Sequence, residues 1–356
     1  MIGEVKIKEG THEPTVEEII PFQYSITSYG ADYPVDGLVK RIKNGDIYVP
    51  PFQRPFVWTL KTSSRFIESL LLGLPVPGIF LSRDEDTKRL VVIDGQQRLR
   101  TLQYFYTGIF HDTKREFALY KCESRYEGVT YRTLTEEDRR RLDDSIIHAT
   151  IVKQDEPTDD YSSIFHIFER LNTGGTLLGA QEIRNALFQG EFNDLIVELN
   201  NSPAWRRLFG RPSSRFRDCE LIIRFLALYF HGDLYKPPMK EFLNKYMGSN
   251  KHLQKQNATQ IKTAFIPTID KILDTLGSDA FKPRGILIAA IYDAVMVGVT
   301  KRLEKGDIYD AEPMKERYAE LIGNNDFINA SSTHTTDEKN VITRIKLAIE
   351  AFQNIT

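Results

Sequence analysis

Leu90-Val91-Val92-Ile93-Asp94-Gly95-Gln96-Gln97-Arg98-Leu99 decides how the first half of this chain folds. Four apolar residues in succession read as a buried strand. From Leu99 the apolar positions recur at helical spacing, with Leu102 and Phe105 following and Ile109 on the same stripe. A strand therefore ends in a polar turn that opens a helix, and a helix start gathers unpaired backbone N–H groups and partial positive charge at one point. Arg98 beside that point makes a phosphate the natural guest.

The same residues have a ligand-free reading. Asp94 as N-cap with Gln97 three positions on forms a capping box. Three features favour a ligand instead. Gly95 permits close backbone approach. Gln96 adds a neutral donor and acceptor. Arg98 lies on the Leu102 stripe, so it points along the core and requires an anion, either a carboxylate or a ligand phosphate.

Working outward, Gly78-Ile79-Phe80-Leu81 reads as a strand joined to Leu90–Ile93 by the charged hairpin 83–88. A helix over 62–72 carries Phe66, Ile67, Leu70 and Leu71. Another covers Val35 to Ile42 and ends at Asn44-Gly45-Asp46, before a short strand Ile47-Tyr48-Val49. Strand-like material recurs at 117–120 and 146–152, and residues 1–30 read as a loose lead-in. After Pro157 nearly every segment has a helical period: 159–171, 179–188, 191–200, 218–230, 238–247, 257–275, 285–304, 312–322 and 337–353. The fold class is α+β, with a mixed domain over residues 1–155 and an all-helical domain over 156–356.

Composition narrows the function. The chain has 356 residues, enough for two cores, and a formal net charge of −2, so any nucleic-acid contact must be a local patch. Cys122 and Cys219 are far apart and fit neither a disulfide framework nor a redox motif, which suits a reducing cytoplasm. The seven histidines show no metal-ligand spacing. The N-terminal stretch MIGEVKIKEG lacks the apolar centre of a signal peptide. The most apolar window, 285–299, is too short to span a bilayer and contains Asp293, so it reads as a buried helix and no membrane partner is expected.

Three further polar groups are candidates. Gln53-Arg54 sits between Pro51 and Pro55 with Phe52, Phe56 and Trp58 around it; the prolines stiffen the loop, whose aromatics either plug the core or stack on a base. Two Gln-Arg pairs, each beside a strand, suit a pocket for a polar anion. Asn172-Thr173-Gly174-Gly175 is either a helix C-cap or an anion nest, and Glu182, Arg184 and Asn185 beyond it either form a solvated face or brace that loop. Arg206, Arg207, Arg211, Arg215 and Arg217, interleaved with Trp205, Phe209 and Phe216, could grip a nucleic-acid backbone, or pair with Asp218 and Glu220. No nucleophile motif, Walker A loop or His-Asn-His cluster is present.

The order of these motifs resembles the N-terminal domain of the GmrSD restriction family, a ParB/sulfiredoxin-like domain with a DGQQR motif. The resemblance runs from Ile47 through Trp58, Ile67 through Pro77, Ile93 through Leu99, Phe168 through Gly175, Glu182 through Asn185 and Arg215 through Arg224. It implies a cytosolic prokaryotic protein tied to defence against phage or modified DNA, with nucleoside triphosphate binding or hydrolysis at the DGQQR region. Carried over, Asp94, Gln97 and Arg98 become the catalytic group and Asp94 the Mg²⁺ ligand. Gln53, Arg54, Gly95 and Gln96 become nucleotide contacts, together with Asn172, Gly174 and Gly175. Longer relatives often continue into an HNH-like nuclease domain. Here only helices follow, so cutting is not carried over: either a separate nuclease subunit cuts, or this chain only senses and signals. Two rivals stand beside this reading: a DNA-binding module gripping phosphates through Arg206 to Arg217, and a metal-dependent DNA phosphodiesterase.

Overall fold

The computed structural model describes residues 25–49, 56–84, 86–111, 115–122, 125–156, 162–171, 178–283 and 285–355. A five-stranded sheet organises the first part, in the order β1 (Ser25–Pro34), β7 (Ile146–Glu156), β3 (Ile79–Arg83), β4 (Leu90–Asp94) and β2 (Ile47–Tyr48). The β1/β7 and β3/β4 pairs are antiparallel, whereas β3/β7 and β2/β4 are parallel. A second ladder joins β5 (Ile109–Phe110) to β6 (Arg115–Glu116).

The continuous apolar run of β4 has a direct cause: both faces of that strand are covered. Leu90 and Val92 face one core, shared with α1 (Val35–Asn44), α2 (Leu60–Leu71), α3 (Gln96–Thr107) and α4 (Glu136–Asp143). Ile93, and Val152 of β7, face the other way and join a second core with Ile164, Phe165 and Phe168 of α5 (Ser162–Leu171). Helix α2 buries all four apolar residues expected of it. Helix α3 stops at Gly108 as expected, so Ile109 leaves the stripe and is exposed.

Beyond those strand residues the second core is mostly helical. It is built from α6 (Ala180–Leu187), α7 (Glu191–Asn200), α8 (Pro203–Phe209), α9 (Arg217–His231), α10 (Met239–Ser249), α11 (Ala258–Leu276), α12 (Ala289–Leu303), α13 (Ala311–Gly323), α14 (Asn325–Ser332) and α15 (Glu338–Phe352). Helix α12 lies at its centre, with residues 290 through 300 all buried. At Gly298 a Cβ would lie 2.8 Å from the Ala348 carbonyl, so α12 and α15 cross at backbone contact. No helix among the described residues is long and apolar enough to cross a membrane.

A charged clasp ties the two parts together. Lys251, just beyond α10 and almost wholly buried, donates to Asp84 at 2.9 Å and Asp86 at 2.7 Å on the β3–β4 hairpin, and His252 adds a 3.2 Å contact to Asp86. Burial opposes the charge on Asp84, but hydrogen bonds from the Thr87 backbone and Lys251 outweigh it and hold the carboxyl below its usual range.

Three sequence expectations need correction. The lead-in 1–30 includes the start of β1, whose residues 25–34 pair along β7. Residues 117–120 are not a strand; the ladder stops at Glu116. Helices α8 and α14 lay outside the periodic segments, both being short.

Candidate functional site

The Asp94 turn forms where β4 leaves the sheet. Gly95 takes the left-handed conformation (φ 101°) and is itself the N-cap of α3, with no side chain capping the helix. The capping box read from Asp94 and Gln97 is therefore absent. Asp94 is the last strand residue, and the chain reverses at the glycine between it and the helix. A Cβ on Gly95 would lie 2.4 Å from Ile79 Cγ2, so only glycine lets the turn sit on β3.

Gln97 is tied to the backbone of a distant segment. Its Oε1 accepts hydrogen bonds from the Val57 and Trp58 backbone N–H groups at 3.0 and 3.2 Å. It thus holds the chain that follows Gln53-Arg54 in sequence. Gln97→Leu is expected to leave two N–H groups without this acceptor and cost about 1–3 kcal/mol, whereas Gln97→Glu keeps the oxygen and restores most of it. Chemical denaturation with hydrogen exchange at residues 57 and 58 would separate the two variants.

Arg98 finds the anion its position demands within the chain. Its Nη2 donates to Asp94 Oδ2 at 2.8 Å and to the Gly78 carbonyl at 2.9 Å. The Arg98 side chain keeps 15% of its exposure and Asp94 41%. Arg98 Nε is buried and makes no hydrogen bond in the described structure. The guanidinium is therefore half satisfied, while the partnering carboxylate opens to solvent. Sequence reasoning missed Gly78; its only signal was a glycine directly after Pro75 and Pro77. Gln96 is nearly buried at the first turn of α3.

The other candidates divide. Gln53, Arg54, Asn172, Gly174 and Gly175 lie outside the described residues. Glu182, Arg184 and Asn185 are buried, which corrects the solvated-face reading. Glu182 accepts from the Gly179 N–H at 2.6 Å, and Arg184 bonds Asn244 at 2.8 Å and Glu220 at 2.9 Å, pinning α6 to α10 and α9. Burial lowers the pKa of Arg184, and Glu220 offsets this only in part. Arg206 is likewise structural. It reaches Asp218 at 3.0 Å and Asn200 at 2.7 Å, and so drops out of the basic patch. Arg207, Arg211, Arg215 and Arg217 are exposed and form no ion pair among the described residues. Asp218 Oδ2 also accepts from the Ser213 N–H at 3.2 Å, which fixes the loop between α8 and α9 that carries two of these arginines.

Among the described residues no three His, Cys, Asp or Glu side chains could share a metal ion. Both cysteines are free. Burial pushes the Cys122 thiol up to about 11 and Cys219 up to about 12, so neither is an activated nucleophile.

No curated protein sequence matches the chain. A family model does: that of the GmrSD restriction endonuclease N-terminal domain, over residues 35–189. The match spans α1 to α6, including the Asp94 turn and both helices that follow the sheet, and it runs past residue 155. Residues 35–189 are a domain of the GmrSD restriction endonuclease N-terminal family.

Proposed function

We propose that this protein is a cytoplasmic nucleotide-dependent sensor of a restriction or phage-defence system, binding a nucleoside triphosphate at the Asp94 turn. The observation that carries this reading is the Asp94–Arg98 pair at the glycine turn, which stays partly open to solvent. Arg98 keeps part of its surface exposed in the first turn of α3, beside the partly exposed Asp94 carboxylate, and a phosphate oxygen is a strong acceptor for a guanidinium in that place. The family match supports the restriction context.

In this reading Arg98 binds phosphate and Asp94 keeps the guanidinium aimed. Asp94 Oδ1 makes no hydrogen bond among the described residues, so it is the protein oxygen that would face a nucleotide-bound Mg²⁺. The metal would supply charge neutralisation on the phosphates. Gln53 and Arg54, with Asn172, Gly174 and Gly175, remain further nucleotide contacts in this proposal, and a separate nuclease subunit remains a candidate partner.

The test is calorimetric titration of ATP, GTP, CTP and UTP with Mg²⁺. At least one is expected to bind, and Arg98→Ala to weaken it roughly 10-fold or more, the worth of a charge-assisted hydrogen bond. Arg98→Lys keeps the charge but loses the fork and should fall between. No heat from any of the four nucleotides would overturn the reading.

Arg207, Arg211, Arg215 and Arg217, exposed and without an ion pair among the described residues, favour a second reading, in which this patch grips DNA phosphates whatever the nucleotide state.

A further inference from the structure

A second polar hollow lies at the opposite end of β4 from Asp94, about 13 Å away along the strand at 3.3 Å per residue. It opens on the sheet face that α1–α4 cover, where α1 runs out. Its volume is about 560 Å³. Tyr29 and Tyr33 of β1 line one side, Arg41 near the end of α1 stands beside them, and Arg83, Lys88 and Arg89 of the β3–β4 hairpin form the far wall. The floor is apolar, from Leu90 and Ile151. Among the described lining residues Asp46 is the one acid, against four cations.

This local charge stands out in a chain of net charge −2. Its origin lies in the hairpin. The two described hairpin acids, Asp84 and Asp86, are held by Lys251 on the side of the helical part. One positive charge on Lys251 thus offsets part of theirs, and Arg83 and Arg89 make no ion pair among the described residues. Arg41 stacks over Tyr33, with its guanidinium carbon 5.4 Å from the ring centroid, so one cation is already ordered. Tyr29 is 41% exposed and presents its ring to solvent.

We infer that this hollow binds a single-stranded polynucleotide, with Tyr29 stacking on a base and Arg83, Arg89 and Arg41 gripping successive phosphates. Aromatic rings among cations in an open groove are what a single strand uses, because every base has a stackable face. The interior of a duplex offers its bases to no such ring. The hairpin that bears the grip is the one clasped by Lys251, so an occupied groove pulls on the contact between sheet and helices.

Fluorescence anisotropy with labelled oligothymidylate and oligouridylate tests the assignment, and shows which sugar the groove prefers. The double variant Arg83→Ala/Arg89→Ala is expected to lose about 10-fold or more in affinity at low salt. Its slope of log K against log salt should shrink by about 1.4, or 0.7 per lost phosphate contact. Tyr29→Ala should lose about 5-fold or more while keeping the wild-type slope. Lys346→Ala, an exposed lysine on α15, removes charge elsewhere and should change neither. All four replaced side chains are solvent-exposed, so the unfolding midpoint should stay put and confirm folded variants. An unaltered slope in the arginine double variant would overturn the proposal. So would binding that persists there and disappears in Arg211→Ala/Arg215→Ala, or a duplex that binds as tightly and ignores Tyr29→Ala.

Discussion

Asp293→Ala is expected to destabilise the helical part by about 3–5 kcal/mol, the usual cost of removing one partner from a buried ion pair. Asp293 is fully buried in α12, inside the most apolar stretch of the chain. Its carboxylate serves two guanidinium groups: Arg224 at 2.6 and 3.2 Å, and Arg344 at 3.2 Å. Burial opposes the charge on Arg224, yet Asp293 more than compensates and holds its pKa above the usual arginine value. For Arg344 burial wins, and the pKa falls. One carboxylate thus sustains two buried cations, and its loss removes the acid that both of them bond directly.

Urea unfolding followed by tryptophan fluorescence would measure the loss. Trp205 belongs to the same core, with its ring 5.4 Å from that of Tyr292, the residue next to Asp293. The triple change Asp293→Leu/Arg224→Met/Arg344→Met, which removes all three charges, should recover most of the lost stability. A loss below about 1 kcal/mol in Asp293→Ala would mean that water, rather than the carboxylate, solvates the two arginines.

What the sequence disclosed follows from where each structural cause lies. The β4–α3 turn was legible because its causes are local: an apolar run, a glycine and a change of period within ten residues. Strand β1 was not. SITSYGADYP is an edge strand hydrogen-bonded only to β7, and Ile26 and Tyr29 stay exposed, so no apolar run marks it. The polarity of Gln97 was visible, but its partners are backbone groups 39 and 40 residues earlier, which no side-chain pattern announces. The arginine cluster after α8 showed its charge without showing that Arg206 faces inward. That difference comes from Asp218 and Asn200, brought together by the packing of α7, α8 and α9. Asp293 was visible as an acid in an apolar window, while both of its partners are more than fifty residues away.

Gly95→Ala should be nearly as damaging as the loss of Asp293, for a different reason. The left-handed backbone at residue 95 costs a residue with a Cβ about 1–2 kcal/mol. The added methyl also meets Ile79 Cγ2 at 2.4 Å and Cβ at 2.9 Å, an overlap that only movement of β3 or α3 relieves. Overpacking of this kind costs about 1–3 kcal/mol, for a total of about 2–5 kcal/mol. Ile79 is buried, so Ile79→Ala alone costs about 2–5 kcal/mol through the cavity it leaves. The two changes should couple. With the isoleucine gone the methyl at 95 has room, and the double variant should be more stable than the sum of the single losses predicts by about 1–3 kcal/mol. The backbone term stays, so the recovery is partial. Strict additivity in a urea-unfolding cycle would show that the overlap is absorbed elsewhere. The same cycle bears on the candidate site, because Gly95 sets the separation of Asp94 from Arg98. If the turn holds the phosphate, Gly95→Ala should lose nucleotide binding under conditions where the protein remains folded, and Gly95→Ala/Ile79→Ala should regain part of it.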